Sequence, residues 1–174
     1  MLFRSTPVAK YIYARAAASG KRAQCQGGAK NPVVVLPDAD MDMATQIIGD
    51  SAFGCAGQRC LAVSVAVAIG DAQKTFRDSI AEAATKLRVG NGLEESTQMG
   101  PVITPQSKSR VESLIGEGEK QGAKILVDGR NANISGHENG NFVKPTVLDG
   151  VPVTSELAHT EIFGPVLSLV HAKD

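Results

Sequence analysis

Apolar residues recur at helical spacing in several stretches of the chain and gather into short β-branched runs between them, a rhythm that predicts alternating helices and strands. Thr6 and Pro7 read as a helix start, with a hydroxyl to cap free amides and proline in the first turn; Val8, Tyr11, Ile12 and Arg15 follow, and Gly20 stops the run. Brief strands are expected on either side of the Gly27-Gly28 turn, the second at Val33 to Leu36. Asp38 and Asp40 open the next helix and complement its dipole; its apolar stripe is Met43, Ile47, Ile48 and Ala52, and it ends near Gly54. Leu61 to Ile69 reads as a strand buried on both faces. Helices at Asp71 to Leu87 and Pro105 to Gln121, a polar excursion at Asp128 to Asn141, and strands at Ala123 to Val127, Phe142 to Leu148 and Ile162 to His171 complete the series. This alternation implies an α/β fold with an open, mostly parallel sheet flanked by helices. Both ends look cut: the last strand has no closing element, and the first helix has no strand to feed it.

Composition narrows the function classes. Eighteen Lys plus Arg balance 18 Asp plus Glu, so there is no basic field for nucleic acid or an anionic membrane surface. No apolar run approaches the ~20 residues that span a bilayer, and Met1 to Pro7 carries no secretory signal. Cys25, Cys55 and Cys60 form an odd set, a poor disulfide framework that suits a reducing compartment; cytoplasm is expected, or the mitochondrial matrix in a eukaryote. No metal site is expected, because His137, His159 and His171 lie far along the chain from the cysteines.

The most informative stretch is Phe53 to Cys60, where a helix ends in two glycines and delivers a cysteine just before a buried strand. Such a turn can present Cys60 as a nucleophile, with the Arg59 cation and main-chain amides favouring the thiolate and holding an oxyanion. The plain alternative is a small buried cysteine in a strand-entry turn.

Three motifs then point one way. Gly57-Gln58-Arg59-Cys60 after Phe53 resembles the active-site cysteine motif of the aldehyde dehydrogenase superfamily. Gln26 to Asp40 resembles its glycine turn and following strand, and Glu161 to Val166 its downstream cofactor motif. Lys21-Arg22, Gly28 to Asn31, Met99 to Gln106 and Glu138 to Val143 resemble the methylmalonate-semialdehyde branch. The resemblance covers essentially the whole chain. It implies residues 1–26 as the end of an NAD-binding domain and 27–174 as most of the catalytic, cysteine-bearing domain, with a full member several times longer and a homo-oligomer.

It further implies that Cys60 attacks an aldehyde, passes hydride to NAD and keeps a thioester. Ordinary members hydrolyse that thioester with a glutamate where this chain has Gln26, and in the branch named above coenzyme A accepts the acyl group instead. Arg59 matches an arginine that pairs with the carboxylate of methylmalonate or malonate semialdehyde; its alternative is a helix-end arginine bonded to backbone carbonyls. Glu161 and Phe163 match the residues at the nicotinamide ribose and ring, and Ser5 a serine near the cofactor phosphates that could otherwise be part of a helix cap. Arg4 stands where the family has glycine, and Pro32 where the branch often has histidine. A hydrolytic aldehyde dehydrogenase and a non-catalytic fragment stay open as alternatives.

Overall fold

The computed structural model describes the backbone of Leu2 and Phe3 and the whole of residues 5–174; Arg4, and with it the expectation attached to that side chain, lies outside the described residues. The elements are β1 (Leu2–Phe3), α1 (Thr6–Ala18), β2 (Cys25–Gln26), β3 (Asn31–Val35), α2 (Met41–Phe53), β4 (Val63–Ile69), α3 (Ala72–Lys86), α4 (Pro105–Lys120), β5 (Lys124–Val127), β6 (Thr146–Asp149), α5 (Glu156–His159) and β7 (Val166–Ala172). A 3-10 turn, Gly54–Gly57, follows α2 directly.

β3 to β7 form one sheet in the order β3-β4-β7-β6-β5, parallel throughout except for the antiparallel β5–β6 pair. Consecutive residues are buried in β6 (Thr146, Val147, Leu148) and β7 (Val166 to Leu169), so both faces of the sheet centre are covered. α2 and α3 pack on each other and on β4, and their aromatic anchors, Phe53 and Phe76, are fully buried. β3 is an edge strand, which is why Pro32 is tolerated there: its missing N–H costs no ladder bond that the sheet interior needs. β1 and β2 pair in parallel as a separate two-stranded sheet.

Several expectations need correction. The first helix does have a strand before it, Leu2–Phe3, too short to carry a sequence signal. The strands expected from Phe142 and Ile162 begin only at Thr146 and Val166, each immediately after a proline (Pro145, Pro165) that cannot donate to the ladder. β4 begins at Val63, leaving Leu61 82% exposed. On α2 the covered row is Thr45, Ile48, Ala52 and Phe53, whereas Met43 and Ile47 are exposed: two apolar rows share that helix and only one faces the sheet. Helix starts follow side-chain chemistry at Asp40, which accepts from Met43 N at 3.0 Å, and at Thr104, which accepts from Ser107 N at 3.0 Å. The start of α1 does not follow it. Ser5 occupies the cap position without a side-chain bond, and Thr6 Oγ1 accepts from Gly28 N at 3.1 Å instead.

Candidate active site

Cys60 sits between the end of α2 and the start of β4, on a turn held from three sides. Cys55, Ala56 and Gly57 all have φ between 52° and 68°, a left-handed run that reverses the chain after α2. At Gly57 only glycine fits, because a Cβ there would lie 2.1 Å from the Gly164 carbonyl oxygen. Asn31 Nδ2 donates to the carbonyls of Cys60 (2.8 Å) and Ala62 (2.9 Å), fastening the cysteine to the start of β3. Gln58 Oε1 accepts from Ile103 N at 3.0 Å, which ties the turn to the loop before α4. The Cys60 residue itself is exposed, not the buried strand-entry cysteine of the alternative reading.

A cleft of about 470 Å³ opens beside it, lined by Ser5, Gly27, Cys60, Ser107, Arg110, Glu161, Ile162 and Phe163. Four of the five site residues expected from the sequence therefore meet in one place: Ser5 before α1, Cys60 before β4, and Glu161 and Phe163 before β7. The glycine turn closes on the same point, since a Cβ on Gly28 would lie 2.9 Å from Glu161 Oε2. A carboxylate acceptor, a hydroxyl at a helix start and a turn without side chains fit the ribose and phosphate end of a dinucleotide.

Arg59 is absent from this lining and lies on an adjoining small hollow with Asn31 and Gly164. Its Nη2 donates to the carbonyls of Asp50 (3.0 Å) and Ser51 (2.9 Å), in the last turn of α2, where orphan acceptors need partners. This is the helix-end arrangement that the sequence offers as the alternative for this residue. Gln26 ends β2, exposed, one residue before the cleft-lining Gly27.

Two residues that sequence reasoning missed line the cleft, and a third lies near its Glu161. Arg110 and Ser107 reach the cleft from one face of α4. Lys30 follows the glycine turn with its Nζ buried and without a hydrogen-bond partner; burial pushes its pKa down to about 8, against the pull of the nearby Glu161 carboxylate. Its signal was present in the motif Gly28 to Asn31, where a cation stands within a turn otherwise free of long side chains. Among the described residues no group of three or more His, Cys, Asp or Glu is placed to hold a metal ion, and no helix is long and apolar enough to cross a membrane.

Comparison with known proteins bears directly on this cleft. The model of the aldehyde dehydrogenase family matches residues 2–174. The chain is 46% identical over 170 residues to malonate-semialdehyde dehydrogenase 3 of Geobacillus kaustophilus, covering 98% of this chain and 35% of that protein. It is 46% identical over 163 residues to the mitochondrial acylating methylmalonate-semialdehyde/malonate-semialdehyde dehydrogenase of Bos taurus, covering 94% and 30%. Among solved structures, a methylmalonate-semialdehyde dehydrogenase of Oceanimonas doudoroffii superposes with a TM-score of 0.95 at 46% identity, over 99% of this chain and 36% of that one. A Sinorhizobium meliloti 1021 protein assigned to the same activity and solved with NAD gives 0.95 at 44%, over 99% and 35%. The chain thus spans about a third of the length of the curated relatives it matches.

Proposed function

Since the chain belongs to the aldehyde dehydrogenase family, we propose that it carries the catalytic cysteine of an NAD-dependent, CoA-acylating oxidation of methylmalonate or malonate semialdehyde. The single observation behind this reading is the convergence of Cys60, Glu161, Phe163 and Ser5 on one cleft. We take residues 1–26 as the end of the cofactor-binding part and 27–174 as the catalytic part; the separate β1–β2 sheet supports that division.

Cys60, as thiolate, attacks the aldehyde carbon, forming a C–S bond and moving the carbonyl electron pair onto oxygen. Main-chain amides of Arg59 and Cys60 are the donors we assign to that oxygen, the Gln58 amide being bonded to the Cys55 carbonyl at 3.1 Å. NAD, when bound, supplies the acceptor for the hydride that leaves the same carbon as the thioester forms. Glu161 would accept hydrogen bonds from ribose hydroxyls, Phe163 would flank the nicotinamide, and Ser5 would face the phosphates. The β-carboxylate then leaves as CO2; the electron pair of the broken C–C bond delocalises into the thioester carbonyl as an enolate, and the carbon takes up a proton in place of the lost CO2. Coenzyme A thiolate attacks the resulting acetyl or propionyl thioester and releases the Cys60 thiolate.

Gln26 supports acyl transfer over hydrolysis, because an amide at that position cannot take a proton from water. Arg59 remains the residue we assign to the substrate carboxylate; with Nη2 on α2, it would meet that carboxylate through Nε or Nη1, or by leaving the helix end. A homo-oligomer in the cytoplasm, or in the mitochondrial matrix of a eukaryote, completes the proposal.

The test replaces the matching third of the Geobacillus kaustophilus relative with this chain and supplies semialdehyde and NAD. Acyl-CoA formed only when coenzyme A is present, and lost in Cys60→Ala, is the expected result. Free acid formed without coenzyme A would establish the hydrolytic alternative, and no turnover in a folded chimaera would establish a non-catalytic segment.

A further inference from the structure

The segment that carries Glu161 and Phe163 has no regular secondary structure, and Phe163 sits at a φ of 57°, a left-handed conformation that a bulky side chain disfavours. Something outside the segment has to impose that shape, and α4 is placed to do so. Arg110 Nη1 donates to the Ile162 carbonyl at 2.5 Å and Nη2 to the Glu161 carbonyl at 2.6 Å, gripping the two peptide groups that precede the strained residue. One residue further along α4, Val111 presses on the same segment: a Cβ on Gly164 would lie 2.5 Å from Val111 Cγ2. On its other side the Gly164 carbonyl abuts Gly57 of the cysteine turn. Residues 161–164 are therefore held between α4 and the turn that presents Cys60.

We infer that Arg110 is the positioning residue that fixes Glu161 and Phe163 toward the cleft, acting through their main chain. A planar fork of N–H donors can hold two successive carbonyls at once, whereas a lysine ammonium in its place would act as a single point charge. The inference rests on the cofactor reading of Glu161 and Phe163, and the experiment separates the two.

The 174-residue chain is labelled with 4-fluorophenylalanine, and the Phe163 fluorine signal is assigned by its loss in Phe163→Leu. Buried Phe53 and Phe76 report on the fold within the same spectrum. In Arg110→Met the Phe163 signal should collapse to its position in the urea-unfolded chain while those of Phe53 and Phe76 hold. Arg110→Lys should leave it between the two positions, and should Arg110→Met not fold, that variant carries the test. An unmoved Phe163 signal in the folded variant, or a shift shared by all three residues, overturns the inference. NAD added to the chimaera described above, labelled in the same way, should also move the Phe163 signal. If NAD leaves it in place while Arg110→Met displaces it, the positioning by Arg110 stands and the cofactor reading falls.

Discussion

The segment from β1 to β2 and the five-stranded sheet are built on opposite terms. α1 buries Ala9 alone and leaves Tyr11 62% and Tyr13 57% exposed. α3, of similar length, buries Ala72, Phe76, Ile80 and Ala84, two of them with no exposure at all. Yet both regions supply the cleft, Ser5 from the first and Cys60, Arg110 and Glu161 from the second, with Gly27 at the junction. Stability is therefore concentrated in the sheet and its helices, while placement of the site also depends on a region that contributes little to the core. Damage to one should unfold the chain, and damage to the other should alter the cleft with the fold intact.

The largest expected effect is in the sheet region. Phe76→Ala removes a fully buried ring and should cost about 3–5 kcal/mol, read as a shift of the urea midpoint. A loss below ~1 kcal/mol would mean that the core is not where stability resides. Gly57→Ala comes next, at roughly 1–3 kcal/mol from the positive φ alone, with more from the clash with the Gly164 carbonyl. Alkylation of Cys60 by iodoacetamide should change rate in that variant even where it remains folded, and an unchanged rate would disconnect the turn from the thiol.

A pH series sharpens the comparison at the seam. Lys30 titrates near 8 in the folded chain and at its ordinary 10.5 when unfolded, so between those values the unfolded state binds more protons. Its burial penalty is fully present below pH 8 and is relieved as pH rises toward 10.5. Lys30→Met should therefore be stabilised most against the parent chain at neutral pH, with the difference shrinking through that window; a constant difference would show Lys30 unburied. The smallest effect belongs to Tyr11→Ala, expected within ~0.5 kcal/mol of the parent. A cost comparable with that of Phe76→Ala would erase the contrast between the two regions.

Local chemistry explains what was legible beforehand. Asp40 and Thr104 cap their helices within three residues, and the Val-rich runs of β3 and β4 carry their strand preference in themselves, so the α/β alternation and parallel sheet could be read directly. The exposure of Met43 and Ile47 could not be read, because periodicity identifies apolar rows without saying which one is covered. α5, at four residues, is too short for any period. Cys60, Glu161, Phe163 and Ser5 were found by motif, and their meeting is a property of the fold. Arg110 escaped notice because its partner Ile162 lies 52 residues away and contributes only a carbonyl, which every residue has. Arg59 shows the converse: its side chain invites a substrate carboxylate, while the nearest acceptors in space are the carbonyls at the end of α2.

The central claim is that Cys60 is the residue that becomes acylated. The direct measurement is peptide mass spectrometry of the chimaera described above after incubation with malonate semialdehyde and NAD, without coenzyme A. The account predicts an acetyl mass on the peptide containing Cys60, absent from Cys25, absent without NAD, and discharged when coenzyme A is added. An acyl group on Cys55 in place of Cys60, or none on any cysteine while NAD is reduced, would contradict it.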